Sequence, residues 1–214
     1  MPHPLASVLR AAAVGGWPAA DGGWTTLPDW RPGVGAVVVF TGHAYVCSDR
    51  QPARERLEAL GCNGFGGATL PAVAMELAGP HGWIDCLDVL LIAHGRGLQT
   101  PALRARPDLA DHPRAVHARL TRGEVTTFGY ADPHRRDVAT VGQGPGDLPM
   151  IGVEVDEPGR GSRIFADVLD LLPPDLVLAS VAPGNARSLR AALRAGFGII
   201  GSVQLFVPAA ESDG

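Results

Sequence analysis

The stretch Asn185-Ala186-Arg187-Ser188-Leu189-Arg190-Ala191-Ala192-Leu193-Arg194-Ala195-Gly196-Phe197 decides how the chain is read. One apolar run, Leu176 to Val181, precedes it, and a second, Ile199 to Val207, follows it. Apolar runs of this length bounded by Pro-Gly and by Gly read as strands. The stretch between them reads as a helix. Asn185 carries a side-chain carbonyl that can accept from the free N–H groups of a first turn. Gly196 stands where a left-handed residue ends a helix without steric cost. Leu189, Ala192, Leu193 and Phe197 recur at helical spacing and are expected to form one apolar stripe. The order is strand, Pro-Gly turn, capped helix, glycine stop, strand.

Further towards the N-terminus the same reading gives a helix near Ser162 to Leu172 and a strand from Pro149 to Val155. Before these come strands from Glu124 to Tyr130 and Asp137 to Gly142, joined by the turn residues Asp132-Pro133-His134. A proline-bounded, arginine-rich helix spans Pro113 to Arg122. In the first half, Asp88 to Ala93 reads as a strand ending at His94-Gly95. Pro71 to Leu77 and Pro52 to Leu60 read as helices, and Gly61 to Thr69 as a turn. Gly35 to Cys47 is a strand bent or broken at Thr41-Gly42, and Leu5 to Val14 a short helix. Trp17, Trp24 and Trp30 lie among Pro and Gly in an arm that they would anchor on a core. The chain is expected to be an α/β protein with a mixed, mostly antiparallel sheet flanked by helices. Residues 1–109 would form an N-terminal α/β subdomain and residues 110–214 the core.

Composition narrows the class. All 18 basic residues are arginine, the net charge is −4, and no basic stripe is visible, which argues against nucleic acid. No run approaches the ~20 apolar residues of a membrane helix, and no leader pattern opens the chain, so a soluble cytoplasmic protein is expected. Cys47, Cys62 and Cys86 form no Cys-x-x-Cys pair, so neither a zinc site nor a disulfide framework is expected. No histidine spacing suits a metal.

Asn185, Ser188, Gly196 and Phe197 match the pattern N-x-x-(A/S)-x-x-x-Y-x-x-x-G-F of the GCN5-related N-acetyltransferase (GNAT) family, which the C-terminal half therefore resembles. The tyrosine position of that pattern is Ala192 here. The resemblance implies an acetyl-CoA co-substrate and transfer of its acetyl group to an amine by direct attack. The family's pyrophosphate loop would fall on Pro158-Gly159-Arg160-Gly161-Ser162-Arg163, between a strand and a helix. Against the family's (Q/R)-x-x-G-x-(G/A), Pro158 replaces Gln or Arg and Arg163 replaces Gly or Ala. A loop of this kind holds anions with helix N-terminal N–H groups, and Arg160 and Arg163 would add charge. A plain Pro-Gly turn is the other reading of it.

The strand Met150 to Val155 would pair its backbone with the pantetheine amides, through Ile151, Val153 and Val155. Glu154 would be the base that takes the amine's proton, its pKa raised by partial burial, or else a solvent-facing residue of the sheet. Asn185 would bond pantetheine or only cap its helix. The expected partners are acyl-CoA and an unidentified amine, with no nucleic acid and no membrane, in a monomer or homodimer. A degenerate relative that binds acyl-CoA or a protein without turnover is the alternative. A hydrolase using His94 and Asp88 is a third reading, without a Gly-x-Ser-x-Gly elbow to support it.

Overall fold

The decisive stretch folds as strand, helix, strand, and the elements around it follow the expected order. The computed structural model describes residues 2–50 and 52–209. In chain order they form α1 (Pro4–Ala13), β1 (Trp24–Leu27), β2 (Gly35–Phe40), β3 (His43–Cys47), α2 (Arg54–Ala59), α3 (Pro71–Ala78) and β4 (Trp83–His94). There follow β5 (Arg104–Ala105), α4 (Pro113–Thr121), β6 (Gly123–Gly129), β7 (Val138–Gln143), β8 (Pro149–Glu154), α5 (Gly161–Leu171), β9 (Leu176–Val181), α6 (Ala186–Arg194) and β10 (Gly198–Val207). Among the described residues no helix is long and apolar enough to cross a membrane.

The chain divides into two units. One runs to Asp88 and resumes at Ile200; the other is Val89–Ile199. This differs from the division expected at residue 109. Val89–His94 pairs antiparallel with β9 along its whole length, from Val89↔Val181 to His94↔Leu176, and so lies in the second unit.

In the first unit the expected bend at Thr41-Gly42 is a full hairpin between β2 and β3. Gly42 takes φ +81°, a conformation that suits glycine in a two-residue turn. β3 also pairs parallel with β1, and β2 pairs antiparallel with Ser202–Phe206 of β10. Trp24, Val37, Val46, Leu57, Val73, Leu77 and Phe206 form this unit's core. Trp24 and Trp30 are buried, as an anchored arm requires, whereas Trp17 is 51% exposed.

The second unit holds the sheet order β4-β9-β8-β7-β6-β5. Only the β8–β9 pair is parallel; the others are antiparallel. The unit is thus a mixed, mostly antiparallel sheet. α5 buries Ile164, Phe165, Val168 and Leu169 against Ile151 of β8 and Val177 and Ala179 of β9. α6 closes the same core. Its start is capped by Asn185 Oδ1, which accepts from Ser188 N at 3.1 Å. Its end is a Schellman turn: Gly196 at φ +104° lets Phe197 N–H reach Ala192 O and Gly196 N–H reach Leu193 O. Phe197 then packs edge-on to Phe165, with ring centroids 5.6 Å apart. The buried face of α6 is Ala191 and Ala192, with Leu189 beside them, and Leu193 is 40% exposed. The apolar stripe expected from sequence is therefore turned by one position, because small residues at 191 and 192 let α5 approach closely.

Candidate functional site

β8 holds the site. Its antiparallel partner β7 stays in register from Gln143↔Pro149 to Val138↔Glu154. Its parallel partner β9 pairs with it only at Met150↔Leu178 and Ile151↔Ala179. Beyond Ile151 the two strands part: β9 continues against β4, and β8 continues against β7 alone. Residues 152–154 therefore expose one strand edge, with ladder groups that an added extended chain could take up.

A cavity of about 440 Å³ opens at this edge. Val153, Glu154 and Val155 line one side, and Gly159, Gly161 and Ser162 line the start of α5. Asn185, Arg187, Ser188, Ala191 and Arg194 line it from α6, and Arg114 from α4. At the start of α5, Arg163 N–H and Ile164 N–H already bond to Arg160 O, while Gly161 and Ser162 stand before those bonds with their N–H groups at the helix end. A helix N-terminus of this kind favours anions through both its free donors and its dipole. Gly159 takes φ +97°, and a Cβ added at Gly161 would stand 3.1 Å from Ala191 Cβ. The glycines thus form the turn and let α5 lie close against α6.

The residues expected from sequence divide here. Val153, Glu154, Val155, Gly159, Gly161, Ser162 and Asn185 line the cavity. Ile151, Arg160 and Arg163 do not. Ile151 is fully buried and paired on both sides, with Val141 and Ala179. Arg160 pairs with Glu157 at 2.8 Å and reaches Asp137 at 3.7 Å. Arg163 Nε donates to Asp167 Oδ1 at 2.9 Å. Of the three carboxylates that draw these arginines away, Glu157 is at the surface, whereas Asp137 is 0% and Asp167 2% exposed. Asp137 also accepts from Asp156 N–H at 3.0 Å and from Arg135, fixing the end of β8. Glu154 is exposed, so the partial burial expected of it is not found.

Tyr130 lies away from the cavity lining. Its hydroxyl donates to Asp167 Oδ2 at 2.6 Å, and Arg135 stacks on its ring. Burial, and then the bond to Asp167 and its charge, push its phenol up to about 12. His94 and Asp88 sit six residues apart on β4, which at ~3.3 Å per residue separates them by about 20 Å. They make no catalytic pair. Among the described residues no three His, Cys, Asp or Glu side chains converge on a metal position.

Three lining arginines escaped the sequence reading: Arg114, Arg187 and Arg194. Arg187 and Arg194 are seven apart, two helical turns, so they share the face of α6 that carries Ala191 and Ser188. That spacing was visible in the sequence. Neither has a carboxylate partner among the described residues. Arg114 lies over β8. A Cβ added at Gly152 would come within 3.3 Å of Arg114 Cδ and 3.2 Å of Arg122 Nη1. No spacing along the chain announces that approach.

The chain is similar in structure to two proteins described as GNAT-family acetyltransferases. The one from Colwellia psychrerythraea is 11% identical, with 58% of this chain and 57% of that one covered at a TM-score of 0.38. The one from Novosphingobium aromaticivorans is 16% identical, with 61% and 69% covered at a TM-score of 0.36. The chain thus spans little more than half the length of the first. No family model and no curated protein matches it.

Proposed function

We propose that the Val89–Ile199 unit binds acyl-CoA, acetyl-CoA in the first instance, and transfers its acyl group to an amine by direct attack. The observation that carries this reading is the parting of β8 and β9 beyond Ile151, which opens a strand edge beside a glycine-bounded helix start. A thioester co-substrate with two amides and a pyrophosphate needs those two features side by side. The backbone of Gly152 to Val155 receives the pantetheine amides, and the N–H groups at Gly159, Gly161 and Ser162 receive the pyrophosphate. Arg187 and Arg194 supply the countercharge for which Arg160 and Arg163 were expected. Arg160 and Arg163 could join only by leaving Asp137, Glu157 and Asp167.

Glu154 is the proposed base. Of the two carboxylates in the lining, Asp156 already accepts from Arg136 N–H at 2.7 Å, whereas no hydrogen bond holds Glu154 among the described residues. In the balanced step, the amine nitrogen attacks the thioester carbonyl and Glu154 takes its proton. The C–S bond then breaks, and CoA leaves as its thiolate.

Titration calorimetry with acetyl-CoA, followed by thiol release over a panel of amines, tests the reading. Micromolar binding and amine-dependent thiol release are expected. Absence of heat at millimolar acetyl-CoA refutes it. Glu154→Gln should slow release by about tens-fold or more, and an unchanged rate removes Glu154 as base. A second reading, acyl-CoA binding without turnover, draws on Ala192 and on the engaged Tyr130, which together leave no tyrosine in the cavity lining among the described residues. It predicts heat without thiol release.

A further inference from the structure

Of the three arginines in the cavity lining, Arg187 and Arg194 stand on α6 and Arg114 stands apart from them, on α4. Period-two alternation puts Gly152 and Glu154 on one face of β8 and Ile151 and Val153 on the other. Ile151 packs with Ile164 and Phe165 of α5, on the side of the proposed pyrophosphate loop. Gly152 faces α4, where Arg114 Cδ lies 3.3 Å from the place a Cβ would occupy. Arg114 therefore shares its face of the strand with Glu154.

Its electrostatics are incomplete. Arg114 Nε is sealed from solvent and has no hydrogen-bond partner. No carboxylate of the described residues lies within ion-pair distance of its guanidinium. Other sheltered arginines of this unit have side-chain partners: Arg106 with Asp108, Arg122 with the Thr140 hydroxyl, Arg135 with Asp137, Arg160 with Glu157 and Asp137. Gly152 keeps the space beside it open, since any side chain there would press on Arg114, Arg122 and Thr140. A guanidinium in a cavity lining without a carboxylate partner fits a planar anion, held end-on through its terminal Nη groups.

We infer that the substrate handled at this site carries a carboxylate near its reacting atoms and that Arg114 receives it. This rests on the acyl-transfer reading above. The carboxylate belongs either to the acyl group, as in a dicarboxylic acyl-CoA, or to the acceptor, as in an amino acid; the chemistry of recognition is the same. A simple cationic amine without an anionic group would meet uncompensated positive charge at Arg114.

The test has two arms read by thiol release. The first compares succinyl-CoA with acetyl-CoA at one fixed amine. The second compares an amino acid with its amide at fixed acetyl-CoA. In one arm, kcat/KM should favour the carboxylate by about 10- to 100-fold, the discrimination of a charge-assisted bond. Arg114→Gln should bring that ratio close to one, and Arg114→Lys should restore part of it. Ratios near one in both arms of the native protein, or a ratio that survives Arg114→Gln, overturn the inference. If acetyl-CoA binds and neither arm discriminates, acyl transfer stands and the carboxylate does not. If acetyl-CoA does not bind, acyl transfer falls, and the arginine Nε–H resonance lost in Arg114→Gln is titrated with succinate. A saturable shift then keeps the anion site, and no shift removes it.

Discussion

Replacing Tyr130 with Phe removes one oxygen and separates a structural role from a catalytic one. Asp167 is 2% exposed and accepts from Tyr130 at 2.6 Å and from Arg163 at 2.9 Å. The Arg163 side chain is 73% exposed, so its ion pair is screened by water and weak. The Tyr130 bond is sheltered, and hydrogen bonds to charged groups contribute about 1.5–3 kcal/mol. Tyr130→Phe should therefore cost about 2 kcal/mol. In a chain of this size each kcal/mol moves Tm by about 2–4 °C, so a fall of about 4–8 °C is expected at neutral pH.

The same bond sets a pH dependence. Burial first, then Asp167, hold the phenol at about 12, whereas an unfolded tyrosine titrates near 10. Between those values the unfolded chain has released its proton and the folded chain retains it. Stability from this group is thus complete below about pH 10 and declines as pH rises towards about 12. A sealed group with that shift would lose about 2.7 kcal/mol. Tyr130 is only partly buried, and screening reduces the figure to about 1 kcal/mol. Tyr45 is also shifted upwards by burial, so the comparison belongs in a Tyr45→Phe background. Calorimetric melting at about pH 9 and about pH 11 should show a steeper fall for the parent than for Tyr130→Phe. Thiol release should stay within a few-fold. An unchanged Tm together with a tenfold loss of release would mean that Tyr130 protonates the leaving thiolate and that its bond to Asp167 is incidental.

Other outcomes follow from single contacts. Arg187→Ala and Arg194→Ala should each weaken acetyl-CoA binding by about tenfold at low salt, and by less as salt screens the phosphates, in calorimetric titration. Asn185→Ala should cost about 1 kcal/mol through the lost cap, and Asn185→Asp should restore the melting temperature. If Asn185 also bonds pantetheine, the aspartate will restore Tm but not acetyl-CoA affinity.

Local signals carried the elements well. The cap at Asn185, the glycine stop at Gly196 and the Asp132 turn, where Asp132 Oδ1 accepts from His134 N–H, are short-range chemistry and read directly from neighbours in sequence. The site was less legible because its chemistry depends on what the fold brings near. Arg160 and Arg163 are visible as donors, but their occupancy is set by Asp137, some two dozen residues earlier, and by Asp167 on the same helix. Glu154 sits in an apolar run that suggests burial, yet the parting of β8 from β9 leaves it at an open edge. That parting is a divergence of two strands distant in sequence, which the alternation within either strand does not announce. The two units differ from the division expected at residue 109 for a related reason: Val89–His94 joins the second unit through its long-range pairing with β9.

Ala192 connects the fold to the chemistry. It is fully buried, and its carbonyl accepts the Phe197 N–H that closes α6. Its neighbour Ala191 would meet a Cβ at Gly161 at 3.1 Å, so the helices touch at the proposed pyrophosphate loop. A tyrosine at 192 would have to enter a packed core around Phe165 and Phe197, and overpacking of that size typically costs ~1–3 kcal/mol or more. The hydroxyl missing from the resembled pattern is therefore not a gap awaiting a side chain; the core has closed over its place. Under the proposed transfer this is tolerable, because a thiol with an ordinary pKa of about 8.5 leaves as a thiolate with little help from an acid. The demand then falls on deprotonating the amine and on holding it, which puts the weight on the α4 face of β8, where Glu154 and Arg114 stand together.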